Sequence, residues 1–432
     1  MSMVVKNNMS AISTLNTLNK NSSALSKSLA KVSSGMKING AADDASGYAI
    51  SERMRVQIRG LDQANSNTQN GSSMMKVAEG AVSSTVDILK TLKEKVINAA
   101  NDSNTDEDRA TIQKELDQSI DQINDNANVT YNGKYLVDGS KNSAVTATTT
   151  SMTNQNLSTD TKMGSTFLSL TDRNGNNLNI QTSDTITLSY VKEGKTYTVT
   201  ATGASSFSDI LGAGTAKTDL AEGNATSVIG KDASGDTVYT ASGDSALTIT
   251  AAKTGVENQI SGITFSVSDT KGQIKKSANA LLDGFSETIR AQDDSKDNAI
   301  TLQVGTKSNQ AIKVGLTDMR AEALGLQAKN GTTINIGTKA NANAAINVLD
   351  SAVQKALDQQ TTIGAVQSRL DYTSSNLTTA SENVQSSEST IRDANMAKEM
   401  TEYTKNNVLM QAAQSMLAQA NQSSSSVLSL LQ

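Results

Sequence analysis

Apolar residues recur at every seventh position through Leu349, Ala356, Ile363, Leu370, Leu377, Val384 and Ile391. Three residues after each comes a row of mostly small side chains: Ala352, Gln359, Val366, Thr373, Ala380, Ser387 and Ala394. This is the a/d seam of a heptad helix, strong at a and thin at d, and such a stripe needs a partner. A matching stripe lies far upstream on Met54, Leu61, Thr68, Met75, Val82, Leu89 and Val96. Its second row is Ile50, Gln57, Ala64, Gly71, Ala78, Thr85, Leu92 and Ala99. The pattern predicts helices over about 45–100 and 341–391 that pair with each other. The first would extend roughly 80 Å at about 1.5 Å per residue.

The flanking segments repeat the theme on a smaller scale. Val4, Ala11, Leu18, Leu25 and Val32 recur every seven, with Leu15 and Leu29 alongside, and predict a helix over 10–34 that Gly35 ends. A helix of that length is marginal alone in water, so its stripe is expected to be unfolded until it meets a partner. At the other end, Met400, Leu409, Met416 and Leu417 mark a helix over 393–422. A Ser-rich break at 423–426 and a short apolar tail with Leu428 and Leu431 follow. A shorter helix starts near Asp106, whose acidic first turn suits the positive end of a helix dipole. Tight turns predict β-hairpins around Asn132-Gly133 and between Ile300–Val304 and Ala311–Val314.

Between 141 and 294 the pattern changes. All four Phe lie here, as does half of the Gly, and strand signals recur at 185–190, 196–200, 246–250 and 263–267. A short helix is expected at 206–211. The fold class is therefore mainly α: a long antiparallel coiled-coil or bundle rod built from both ends of the chain, with two β-hairpins and a central β-rich insert.

Composition narrows what such a molecule can do. The 432 residues contain no Cys, Pro, His or Trp and only 3% aromatics. Absence of Pro, against about 5% in an average chain, suits uninterrupted helices. Absence of Cys removes thiolate catalysis and thiolate metal sites. Absence of His removes the commonest general base and metal ligand, so neither an enzyme nor a metal or other cofactor is expected. A net charge of -5 gives no basic footprint for nucleic acid. No apolar run approaches the roughly 18 residues of a membrane-spanning helix, so no membrane insertion is expected. Residues 1–10 show no apolar core of a secretory signal peptide.

Three strings carry a family resemblance: Val32-Ser-Ser-Gly-Met-Lys-Ile-Asn-Gly-Ala-Ala-Asp-Asp-Ala-Ser-Gly-Tyr-Ala-Ile50; Leu302-Gln-Val-Gly305 with Gln310; and Ile391-Arg-Asp-Ala-Asn395 running on through Leu417–Gln422 to Val427–Leu431. In this order they resemble bacterial flagellin, the flagellar filament subunit, over about 1–140 and 295–432. The resemblance implies a terminal coiled-coil domain lining the filament channel (1–42 with 394–432), a surrounding rod domain (43–140 with 295–393) and a variable outer domain (141–294). It implies a structural protein that polymerises with itself for motility and reaches the extracellular filament through the flagellar type III system. Implied partners are the flagellar cap, hook-associated proteins and an export chaperone at the C-terminal region. A hook–filament junction protein is the alternative. A metalloprotease-bearing flagellin is excluded by the absence of His.

On this reading the self-assembly residues are Val4, Ala11, Leu15, Leu18, Leu25, Leu29, Val32, Met400, Leu409, Met416, Leu417, Leu428 and Leu431. Their polar faces carry few charges, which favours an assembly surface over ordinary core. The rod seam is Met54, Leu61, Met75, Val82, Leu89, Val96, Leu349, Ile363, Leu370, Leu377, Val384 and Ile391. Aligning on Glu79-Gly80-Ala81 places the family's contacts for an innate immune receptor, Toll-like receptor 5 (an Arg and a Leu on the long helix and a Glu on the short one), at Thr91, Lys95 and Glu115. Only Glu115 keeps the family's residue, so recognition is expected to be weakened. Asp43-Asp44 is read as a helix cap, because no third ligand lies at usable spacing.

Overall fold

The computed structural model describes residues 8–223 and 226–429. Its elements in chain order are α1 (Met9–Ser34), α2 (Ala45–Ala99), α3 (Asp106–Ala127), β1 (Thr130–Tyr131), β2 (Lys134–Tyr135), β3 (Ser151–Asn154), β4 (Thr185–Lys192), β5 (Lys195–Thr202), α4 (Phe207–Leu211), α5 (Ala216–Asp219), β6 (Leu220–Glu222), β7 (Val228–Lys231) and β8 (Thr237–Tyr239). There follow β9 (Leu247–Ala251), β10 (Ile260–Ser268), α6 (Lys276–Leu282), β11 (Phe285–Ile289), β12 (Ile300–Gln303), β13 (Ala311–Val314), α7 (Ala321–Leu324), α8 (Lys339–Arg392) and α9 (Met396–Ser429). The Ser-rich stretch at 423–426 does not interrupt α9, which continues to Ser429. Ser is only a mild helix breaker, and with no Gly or Pro nearby nothing stops the helix.

The chain forms two compact units. The first is drawn from Met1–Asn67, Val304–Gln310 and Tyr372–Gln432, the second from Thr68–Gln303 and Ala311–Asp371.

In the second unit the helical core is the predicted seam. Met75, Val82, Leu89 and Val96 of α2 and Leu349, Ala356, Ile363 and Leu370 of α8 are fully buried, as are Leu116, Ile120 and Ile123 of α3. Gln367 donates to Glu79 at 2.8 Å, and Lys93 pairs with Asp350, so rising numbers on α2 meet falling numbers on α8 and the pair is antiparallel. The thin row does what small residues allow: Ala352 is buried and lets the backbones approach. Thr105 opens α3 with a reciprocal capping box to Asp108. The buried Arg109 guanidinium closes the α2–α3 turn, with Nε donating to the Ala99 carbonyl at 2.9 Å and Nη2 to Asn101 at 3.0 Å.

The β-rich part belongs to this same unit. It has a three-stranded sheet ordered β10-β4-β5 and a four-stranded sheet ordered β11-β3-β9-β6. The β4–β5 turn places Glu193 and Gly194 at positive φ, the two-residue hairpin geometry that twisted strands favour. Phe167, Phe207 and Phe265 are fully buried together, with ring centroids 4.5 to 6.3 Å apart, and Phe285 packs on Phe265 at 5.5 Å. The few aromatics of the chain are thus concentrated where a sheet core needs bulk. This core is joined to α8: Asn347 donates to the Ile263 carbonyl at 3.1 Å, and a Cβ on Gly262 would lie 3.0 Å from the Val348 nitrogen.

Asp283, at the end of α6, accepts the Phe265 amide at 2.9 Å, but burial pushes its carboxyl up to about 6. An acid raised above its unfolded value of about 3.9 binds its proton more tightly when folded, so its contribution favours folding at low pH and is lost as pH rises through about 4 to 6. Asp283→Asn keeps the acceptor oxygen and removes the charge. It should raise stability at pH 8 by about 1–2 kcal/mol after discounting for partial exposure, and flatten the pH 4–6 dependence. Denaturant unfolding at pH 4 and pH 8 measures this; a variant no more stable than the parent at pH 8 would refute it.

Candidate functional site

The first unit buries little. Among its described residues the buried apolar side chains are Ile38, Leu61, Ala64, Leu377 and Ala413. Leu61, Ala64 and Leu377 form a small cluster with Ala380 and Val384 between α2 and α8, flanked by the Ser374–Asn65 and Ser381–Asp62 hydrogen bonds at 2.7 and 3.0 Å. Met54, Val384 and Ile391 are only half-buried.

α1 and α9 run antiparallel. Asn8 donates to the Ala420 carbonyl at 3.2 Å, Asn21 to the Leu409 carbonyl at 3.2 Å, and Asn406 to the Ser28 hydroxyl at 3.0 Å. The partner that α1 requires is therefore in the same chain. Among the less exposed positions of α1, Ala11, Thr14, Leu18, Asn21, Leu25, Ser28 and Val32 make a heptad row alternating by threes and fours, with Ala24 and Lys31 beside it. The matching row of α9 is Tyr403, Asn406, Met410, Ala413, Leu417 and Ala420, with Glu399 and Asn407 beside it. Every second position of the α1 row is polar (Thr14, Asn21, Ser28), and Asn406 answers Ser28 from α9; such polar seam positions fix register at a cost in stability.

That seam does not use all the apolar residues. Met9, Ile12, Leu15 and Leu29 of α1, and Met396, Met400, Val408, Leu409 and Met416 of α9, are exposed, as is Val56 of α2. Of the predicted assembly residues, Ala11, Leu18, Leu25, Val32 and Leu417 are thus half-buried in the α1–α9 seam, whereas Leu15, Leu29, Met400, Leu409 and Met416 face outward. Val4, Leu431 and the side chain of Leu428 lie outside the described residues. The heptad reading missed the outward stripe of Met9 and Ile12, although their i, i+3 spacing with Leu15 carries the signal.

The two terminal helices are clasped at their bases. Met36 and Asp393 form an antiparallel bridge, in which the Lys37 amide donates to the Arg392 carbonyl at 2.8 Å and the Ala394 amide to the Gly35 carbonyl at 2.9 Å. Gly35 sits at φ 72 and so ends α1 in a left-handed turn. The buried Arg392 guanidinium lies 5.4 Å from the Tyr48 ring centroid and donates to Glu52 at 2.6 Å and to the Ser51 hydroxyl at 3.4 Å. That donation, with burial opposing it, holds the Glu52 carboxyl below its usual range. Asp44 caps α2 by accepting the Gly47 amide at 3.0 Å, and Asp43 accepts the Asn39 amide at 3.1 Å. The acidic pair is structural, as its spacing suggests. Arg392→Ala should destabilise the clasp by about 1–3 kcal/mol, the scale of charged hydrogen bonds. Amide exchange at Lys37 and Ala394 would then speed up about tenfold or more; unchanged exchange would show that the bridge does not depend on Arg392.

On the second unit, Thr91 is exposed and Lys95 pairs with Glu115 at 3.0 Å. Among the described residues no group of three or more acidic side chains could hold a metal ion, and no helix is long and apolar enough to cross a membrane.

The bacterial flagellin N-terminal helical region matches residues 5–142 and the C-terminal helical region matches residues 346–431. A flagellin of Clostridium tyrobutyricum is 36% identical, covering 97% of this chain and 99% of its own. The chain belongs to the bacterial flagellin family. A flagellin of Bacillus subtilis is 30% identical over 99% of this chain and 100% of its own. A flagellar hook-associated protein 3 of Legionella pneumophila is similar in structure over 78% of this chain and 97% of its own, at 16% identity and a TM-score of 0.34. Membership makes the chain a structural subunit of the extracellular flagellar filament, serving motility. The matched regions contain α1, α2, α3, nearly all of α8, and α9, the elements that carry both seams and the clasp.

Proposed function

We propose that the outward faces of α1 and α9 are the surfaces through which copies of this flagellin stack, with residues 1–42 and 394–432 forming the inner layer of the filament. Residues 43–140 and 295–393 form the surrounding layer, and 141–294 the outer one. The observation that carries this reading is the uneven distribution of exposed apolar residues. They crowd onto a unit that buries almost none of its own, while the other unit has a closed core. The half-buried upper seam at Met54, Val384 and Ile391 supports the same division.

Export proceeds through the flagellar type III system, with a chaperone shielding α9, whose exposed Met and Leu residues need cover before assembly. Cap and hook-associated proteins contact the same faces at the filament ends. Recognition by Toll-like receptor 5 is weak, because the Lys95–Glu115 pair occupies the one position of three that keeps the family's residue, and Thr91 offers no guanidinium fork.

Purified subunits added to filament fragments should elongate into long filaments under the electron microscope; a junction protein would add only a short cap, and that outcome would replace this reading. In a receptor reporter assay, Thr91→Arg with Lys95→Leu should raise potency by about tenfold or more, the scale of one hydrogen bond to a charged group. An unmodified chain already as potent as a strong agonist would overturn the receptor assignment.

A further inference from the structure

The chain holds 14 Met and no Cys or Trp, so thioether sulfur is the side-chain atom that two-electron oxidants attack first. These methionines are unevenly placed. In the second unit Met74, Met75, Met152, Met163 and Met319 are all buried. In the first unit Met9, Met396, Met400 and Met416 are exposed, Met9 at 68% and Met416 at 62%, while Met36, Met54 and Met410 are half-buried. All four lie on the faces of α1 and α9 that their mutual seam leaves open. Leu or Ile would supply the same apolar area there without an oxidisable atom, as Ile12, Leu15 and Leu29 do on α1.

We infer that Met9, Met396, Met400 and Met416 are a reversible oxidation site, modified by hydrogen peroxide in the unassembled subunit, and that their oxidation blocks assembly. The sulfur lone pair attacks one peroxide oxygen and the O–O bond breaks. The S–O bond forms, and the departing hydroxide takes the remaining proton, so sulfur is oxidised by two electrons and peroxide is reduced to water. The product sulfoxide is polar and chiral. Burying it against an apolar neighbour leaves an unpaired S–O dipole, so each conversion penalises stacking. The consequence for assembly rests on the filament reading above. Once stacked, these sulfurs are covered, so the site acts on free subunits and spares the polymer. Restoration requires the reductase chemistry that returns sulfoxide to thioether.

The test treats full-length monomer and finished filaments with hydrogen peroxide under native conditions and maps oxygen addition by mass spectrometry. In the monomer, the four exposed sites should oxidise at least about tenfold faster than the five buried ones, and in filaments this preference should vanish. Seeded elongation of treated monomer should fall at least about tenfold and recover after methionine sulfoxide reductase treatment. A variant with all four replaced by Leu, a volume-conserving exchange, should elongate like untreated parent and resist peroxide. Uniform oxidation across the chain, undiminished elongation of oxidised monomer, or a Leu variant that loses as much as the parent on treatment would overturn the inference. If untreated monomer fails to elongate, the filament reading falls and takes the assembly block with it, and the monomer map alone then decides whether these four thioethers are the oxidation site.

Discussion

A chain cut to residues 43–393 is expected to remain a folded, soluble monomer that forms no filaments at all. The physical reason lies in how the two units divide the apolar surface. Cutting at 42 and 394 removes α1 and α9 whole, and with them Met9, Ile12, Leu15, Leu29, Met396, Met400, Val408, Leu409 and Met416. None of the buried seam from Met75 to Val96, or of Leu349 to Leu370, is touched, and neither is the Phe cluster. The melting temperature of the remainder should therefore shift by no more than about 4 °C, the effect of roughly 1 kcal/mol in a domain of this size class. Elongation on filament seeds should fall from complete to none. The two readouts separate the alternatives. A truncated chain that still elongates shows that stacking does not use the terminal faces. One that loses its calorimetric transition shows that α1 and α9 are core to the fold and not additions to it.

How much of this was legible from the residues depends on how local the cause is. The long helices were readable to within a few residues because a sevenfold stripe with no Pro has one regular solution, and every a-position from Leu349 to Leu370 is fully buried. The hairpin at Asn132-Gly133 was readable because positive φ leaves a chemical trace. Burial on the terminal helices was only half readable. Periodicity names the apolar residues of α1 but does not say which stripe meets α9 and which faces out. That is settled by Asn406 donating to the Ser28 hydroxyl and Asn21 to the Leu409 carbonyl across the seam, contacts between residues nearly four hundred positions apart. The Arg392 clasp was not readable for the same reason: Tyr48, Ser51 and Glu52 lie some 340 positions away in sequence. The serine run at 423–426 misled because Ser breaks helices only weakly. The sheet order β11-β3-β9-β6 was likewise hidden, since it joins strands from both ends of the insert.

The attachment of the β-rich part to α8 should be the most sensitive single point in the chain, and Lys355→Ala should cost about 3–5 kcal/mol. Lys355 and Glu287 are both nearly solvent-free, at 7% and 5% side-chain exposure, and meet at 3.2 Å. The contact is carried by charge, since Glu287 Oε1 has no partner in hydrogen-bond geometry. Lys355 also donates to the buried Gln259 at 3.1 Å, and one turn along α8 Asp358 pairs with Arg290 of the strand-end that follows Glu287. Truncating Lys355 therefore strands a carboxylate in a dry site and frees the Gln259 oxygen at once. Removing one member of a buried pair is costly because the survivor keeps its desolvation penalty, whereas removing both is nearly neutral. Lys355→Met with Glu287→Leu should accordingly recover most of the loss. Chemical unfolding of the parent, the single variant and the double variant measures the cycle. If the double variant is as unstable as Lys355→Ala, the loss comes from packing around the α8 stem and not from the orphaned charge. If Lys355→Ala costs less than about 1 kcal/mol, the β-rich part is held to α8 by Asn347 and the Gly262–Val348 approach instead.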